Sequence, residues 1–158
     1  MKETWVLWYR ILLLVFTVFA GISAFTFIGV AFYILFNLFG YLFSVADTGW
    51  LVVVETLLSL VSGTASILQF LGGFQVLRHH LKAGIRFLWA GVILYAIYIT
   101  ATLFFALISA GYANIFASYT LEGYLLLFVS SLFSIVLPLV FIYTCGRRDL
   151  IDYRPPKK

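Results

Sequence analysis

Four long apolar runs limit what this chain can fold into. They cover roughly residues 11–39, 51–77, 83–110 and 122–144, and 64% of the whole chain is hydrophobic. A hydrocarbon layer about 30 Å thick is crossed by about 20 helical residues, so each run is long enough to span it. Because unpaired backbone groups in lipid cost several kcal/mol each, uninterrupted runs favour helices. The sequence therefore predicts an all-α membrane protein, a four-transmembrane-helix antiparallel bundle that forms a single membrane domain over residues 1–158.

The basic residues predict an orientation for these helices. The chain has ten Lys and Arg and a formal net charge of +4. They lie before or at the start of the first run, between the second and third runs, and after the fourth: Lys2, Arg10, Arg78, Lys82, Arg86, Arg147, Arg148, Arg154, Lys157 and Lys158. The two other connections, about 40–50 and 111–119, contain none. Because short basic loops stay on the cytoplasmic side, we expect both termini, the central turn over 78–86 and a tail over 146–158 to be cytoplasmic.

The same charges predict what the cytoplasmic surface binds. A basic residue beside the membrane gains about 1 kcal/mol from anionic lipid, and the residues expected to make such contacts are Arg78, Lys82, Arg86, Arg147 and Arg148. Basic residues confined to helix ends argue against nucleic acid as a partner. The chain has no Asn-x-Ser/Thr sequon, and its layout resembles that of small bacterial membrane proteins. We therefore expect a multi-pass protein of the bacterial inner membrane.

The first and fourth runs each contain a predicted irregularity. The first continues to Ala46, which is about 54 Å of helix at 1.5 Å per residue and too long for one upright span. We therefore predict a break near residues 37–40. In the fourth run Pro138 has no N–H to donate, which predicts a kink and a carbonyl left without its helical donor near Ser134.

Polar and small side chains form one stripe on each of the two central helices. In the second run they are spaced by 4, 3, 4, 3 and 4 residues, and in the third by 7, 4, 3, 4 and 7. A stripe of this kind faces protein in preference to lipid. We call the polar members of the two stripes the polar seam, which comprises Glu55, Ser59, Ser62, Ser66, Gln69, Tyr95, Tyr98 and Thr102.

The two stripes match if the second and third helices form an antiparallel hairpin. Residues at equal depth then have numbers with a constant sum, and this sum is about 160 for four pairs: Ser66 with Tyr95, Ser62 with Tyr98, Ser59 with Thr102, and Gln69 with Gly91. This sum places the centre of the hairpin between His80 and Leu81. Small serines opposite large tyrosines predict close packing and a hydroxyl partner for each phenol, at about 0.6 kcal/mol per interhelical hydrogen bond.

Among the acidic residues, Glu55 is the best candidate for an intramembrane site. It lies five residues after Trp50, near the outer edge of the hydrocarbon region. A carboxyl group there can serve as a proton or cation site with the serine stripe below it. It can equally reach headgroup water while the serines only join the helices.

The sequence contains no motif for catalysis or cofactor binding. There is no phosphate loop, dinucleotide motif, nucleophile elbow or zinc spacing. The single Cys145 excludes an internal disulfide, and the adjacent His79 and His80 point about 100° apart with no acidic or Cys ligand close in sequence. We predict no catalytic, cofactor or metal site.

Three function classes remain open. We expect an integral membrane accessory subunit or scaffold, associated with other membrane subunits or with its own copies. One alternative is a small ion, proton or small-molecule transporter or channel that uses Glu55 and the polar seam. Another is a lipid-binding or lipid-modifying protein.

Overall fold

The computed structural model describes residues 2–44, 49–110 and 121–145. These residues form four helices and no strand: α1 Lys2–Ser44, α2 Gly49–Leu77, α3 Leu81–Ala110 and α4 Leu121–Cys145. The predicted all-helical fold is confirmed. Arg147 and Arg148, with the rest of the predicted tail, lie outside the described residues, as do the connection over 111–119 and the side chain of Glu55.

Three of the helices are long and apolar enough to cross a membrane. The candidate spans are Val6–Asn37, Thr56–Leu77 and Leu81–Phe104, while the described apolar part of α4 is a shorter stretch, Phe133–Cys145. Large apolar side chains point away from the protein along α1 in particular, where Phe25 is 83% exposed. Since such a surface is unfavourable in water, length, composition and exposure together indicate a membrane protein.

The predicted break in the first apolar run is wrong. The helix α1 continues through residues 37–40 and ends at Ser44, so it is 43 residues long. The side-chain amide of Asn37 donates to the carbonyl oxygen of Tyr33, four residues earlier in the same helix, at 2.8 Å. A polar residue whose amide bonds back to its own helix can be accommodated without ending it. At 1.5 Å per residue, α1 is about 64 Å long and extends well beyond a hydrocarbon layer of about 30 Å.

The helices α2 and α3 pack in the predicted register. A methyl group added to Gly91 would lie 2.7 Å from Cγ of Gln69 and 3.0 Å from the carbonyl oxygen of Ala65. One added to Gly84 would lie 2.6 Å from Cγ2 of Val76. Partner numbers fall on α2 as they rise on α3, so these two helices run in opposite directions. The contact between Gln69 and Gly91 confirms one of the four predicted pairs, and glycine is required where helices approach this closely.

The helix α1 packs along another side of α2 in the same manner. A methyl group on Gly21 of α1 would lie 3.1 Å from the ring of Phe70, and one on Gly63 of α2 would lie 3.0 Å from Cγ1 of Ile28. Here too the partner numbers change in opposite directions. The helix α2 therefore lies between α1 and α3.

The turn that joins α2 and α3 is shorter than predicted. It comprises Arg78, His79 and His80, whereas the rest of the predicted 78–86 turn belongs to the first turns of α3. The N–H of His80 donates to the carbonyl of Gln75 at 2.9 Å and the N–H of His79 to that of Val76 at 3.0 Å. With His79 at a φ of 65°, these are the two bonds of a Schellman motif, which satisfies the last carbonyls of α2.

Candidate functional site

The side chain of Gln69 connects three helices. It extends from α2, its Cγ lies against Gly91 of α3, and its Nε2 donates to the carbonyl oxygen of Ser134 on α4 at 2.6 Å. In a regular helix that carbonyl would accept from the N–H of residue 138, which is Pro138 and has none. Gln69 therefore supplies the donor that proline removes. The side chain is 2% exposed, and the bond is partly buried.

The central residues of the polar seam are buried between helices. Ser62 is fully buried, Ser66 is 1% exposed and Tyr95 is 4% exposed. Ser59, Tyr98 and Thr102 are intermediate in exposure. The hydroxyl of Thr102 donates to the carbonyl oxygen of Tyr98 at 2.8 Å within α3. In the described residues the middle of the seam is thus closely packed.

The predicted hydrogen bond between Ser62 and Tyr98 is wrong. Within the described part of the chain, Ser62 Oγ is buried and has no hydrogen-bond partner. Tyr98 makes ring contacts instead, with Tyr95 at 5.7 Å between centroids and with Phe27 of α1 at 6.4 Å. Both contacts are edge-on, an arrangement that aromatic rings favour. Tyr98 therefore joins α3 to α1.

An open cavity of about 390 Å³ lies between α1 and α4. We call it the α1–α4 cleft. Its walls are α1 from 12 to 23 and α4 from 129 to 137, and Ser66 and Gln69 of α2 line its base. Its rim is exposed, with Val15 at 59% and Phe133 at 55%. The cleft therefore opens sideways, toward the surroundings of the helices.

The cleft is closed at the end nearest the basic turn. There the ring of Phe141 on α4 lies 5.7 Å from the ring of Tyr9 and 5.2 Å from that of Phe16. Tyr9 Oη and Cys145 Sγ are 3.3 Å apart, and Cys145 is 3% exposed. Because α1 and α4 contact each other here, the gap between them exists only farther from the basic end.

The basic residues of the turn and of α3 are at the surface. Arg78, Lys82 and Arg86 are all exposed, and the guanidinium carbon of Arg78 lies 4.6 Å from the centroid of the Phe74 ring. A cation–π contact of this kind leaves the charged group accessible to solvent or headgroups. A second cavity, of about 550 Å³, lies between residues 79–85 and Cys145 at the end of α4.

His79 and His80 line that second cavity and are exposed. In the described part of the chain, they do not join a group of three or more His, Cys, Asp or Glu with the geometry of a metal site. His79 instead has a backbone role, since it is the residue in the left-handed conformation that ends α2.

Sequence reasoning missed the α1–α4 cleft. The spacing patterns predict how α2 and α3 pack together because a short turn joins these two helices. The helices α1 and α4 are far apart in the chain, so no such pattern relates them. One signal was available: Pro138 leaves the carbonyl of Ser134 without a donor, so a donor had to come from another helix. Gln69 is the residue of the polar seam that has a side-chain amide, so it is the candidate for this donor.

Comparison of this chain with models of protein families, with curated protein sequences and with solved structures gives no match.

Proposed function

We propose that this protein is an accessory subunit or scaffold of a larger membrane assembly, with no catalytic chemistry of its own. The observation that supports it best is the position of Gln69. Its stem packs on Gly91 and its amide bonds to the carbonyl of Ser134. The side chain thus holds α2, α3 and α4 together. A strongly polar group used in this way favours a structural role over a reactive one.

In this proposal all four helices cross the membrane as an antiparallel bundle. Both termini and the turn at Arg78 to His80 lie on the cytoplasmic side of a bacterial inner membrane. The contacts of α1 and α3 with α2 support alternating directions, and the positions of the basic residues support the orientation. Exposed Arg78, Lys82 and Arg86 contact anionic headgroups, as do Arg147 and Arg148 after α4.

The partners in this proposal are other membrane subunits or further copies of the chain. Phe25 and Phe36 of α1 are 83% and 85% exposed and belong to an apolar surface that a neighbouring transmembrane helix can cover. Extraction from native membranes in a mild detergent should yield a complex of defined stoichiometry. Recovery of a lone monomer, stable in the same detergent, would contradict the proposal.

The second candidate is a small transporter or channel that uses Glu55 and the polar seam. Ser62 favours it, because its buried hydroxyl has no partner within the described residues and can bind a water or an ion. Proton or ion flux should then be measurable in liposomes and fall sharply in Glu55→Gln. Flux that is absent, or unchanged in this variant, would remove Glu55 from such a role.

A further inference from the structure

The length of the α1–α4 cleft matches one leaflet of a membrane. Along α1 it extends from Leu12 to Ser23, which is about 16 Å at 1.5 Å per residue. One leaflet is half of a hydrocarbon layer of about 30 Å, or about 15 Å. The cleft also lies inside the candidate span Val6–Asn37, in the half nearer the basic turn. A hydrocarbon chain that extends from the headgroups to the bilayer centre is of the right length to occupy it.

The closed end of the cleft argues against a transmembrane helix as its occupant. A helix is about 10–12 Å wide with its side chains and must cross both leaflets. At the basic end the Phe141 ring contacts Tyr9 and Phe16, so α1 and α4 are too close to admit one. A thin, flexible chain can pass along the outside of this contact and fill the wider part.

The chemistry of the cleft also suits hydrocarbon. Its walls are mainly Leu, Val and Phe, and in the described part of the chain no charged residue lines it. The amide of Gln69 at its base already donates to Ser134. A charged or strongly polar ligand would lose its hydration without gaining a charged partner, which is costly.

An aromatic residue marks where such a lipid would place its headgroup. Trp8, Leu12, Val15 and Phe19 are spaced by 4, 3 and 4 residues, so they share one face of α1. Trp8 is 64% exposed, and exposed tryptophans concentrate at the level of the headgroups. The cleft therefore continues the face of α1 that begins at a residue suited to the interface.

We propose that the α1–α4 cleft binds one acyl chain of a bilayer phospholipid from the leaflet nearest the basic turn. The chain lies along Leu12, Val15 and Phe19 of α1 and against Phe133 of α4, and it fills the gap beside the bond between Gln69 and Ser134. This site does not depend on the accessory function proposed above, because it needs only the protein and its membrane.

The test uses the purified full chain in phosphatidylcholine vesicles, doped with phosphatidylcholine that has a diazirine on its acyl chain. After irradiation, labelled residues are mapped by mass spectrometry of peptides. We expect labelling of Leu12, Phe19 and Phe133 to exceed by several-fold that of Leu14 and Val18. These two comparison residues are 52% and 53% exposed on another face of α1, so contact with bulk lipid alone would label them as strongly as Leu12 and Phe19.

Two variants test whether the cleft itself causes this preference. Ala20 and Ser23 line the cleft, and both Ala20→Phe and Ser23→Leu fill it, the second with less risk to folding. Each should reduce labelling of Phe19 and Phe133 to the level of Val18. Leu14→Phe, a change on the outer face of α1, where Leu14 is 52% exposed, should leave the preference intact. Even labelling around α1, or a preference that survives in a correctly folded filling variant, would overturn the proposal.

Discussion

The bond between Gln69 and Ser134 predicts an energetic coupling between Gln69 and Pro138, two residues on different helices. Gln69→Leu removes the donor and leaves a side chain of similar bulk. Interhelical hydrogen bonds in lipid contribute about 0.6 kcal/mol on average and up to about 1.7 kcal/mol. Here the acceptor is also left without any donor, and an unsatisfied buried carbonyl costs about 1–3 kcal/mol. We therefore expect Gln69→Leu to lower the free energy of unfolding by about 1–2 kcal/mol.

Pro138→Ala should reduce this cost. Residue 138 then has an N–H that donates to the carbonyl of Ser134 within α4, as in any regular helix. In this background the carbonyl keeps a donor, so Gln69→Leu should cost only about the average interhelical bond, near 0.6 kcal/mol. The difference between the two backgrounds is a coupling of about 1 kcal/mol, or about a factor of five in the unfolding equilibrium.

The measurement is a double-mutant cycle in mixed micelles, with unfolding followed by circular dichroism as sodium dodecyl sulfate is titrated. Gln75→Leu is the matched control. It is the same substitution in the same helix, and the Gln75 side chain makes no hydrogen bond in the described part of the chain. It should be additive with Pro138→Ala. If Gln69→Leu were also additive with Pro138→Ala, within about 0.3 kcal/mol, the role assigned to Gln69 would be refuted.

Three further predictions concern the close approach of α3 to α2, the buried hydroxyl of Ser62 and the turn at His79, and the first and third each have a control substitution. Gly91→Ala should destabilise by about 1–3 kcal/mol in the same titration, because the added methyl meets Gln69 and a backbone carbonyl. Gly29→Ala, with nothing within 4 Å, should be neutral or stabilising, and equal effects of the two would contradict the close approach. Ser62→Ala should be neutral or stabilise by up to about 1 kcal/mol, because it removes a buried hydroxyl with no described partner; a clear loss of stability would reveal a partner for it. His79→Gly should stabilise by about 1 kcal/mol, because glycine adopts a positive φ without strain, and His80→Gly is its control; destabilisation by His79→Gly would indicate a side-chain role.

The sequence predicted the packing of α2 and α3 because two local regularities agreed. The stripes on both helices have helical spacing, and a short basic turn between them sets their register. Contacts made by Gly84 and Gly91 fall in that register. The prediction of a hydrogen bond between Ser62 and Tyr98 is wrong because side chains at equal depth need not point at each other. The rotation of each helix about its axis decides that, and in this fold Tyr98 contacts the rings of Tyr95 and Phe27.

The position of α4 was harder to predict because no regular spacing on it identifies its neighbours. Apolar side chains on all faces allow many rotations of a helix in lipid with similar packing, and hydrophobicity does not choose among them. A single polar requirement can choose. The carbonyl of Ser134 lacks its helical donor because of Pro138, and Gln69 of the seam provides a side-chain amide at a depth where α4 can meet it. Gln69 and Pro138 therefore specify one arrangement of α4, and the α1–α4 cleft is the space which that arrangement leaves open.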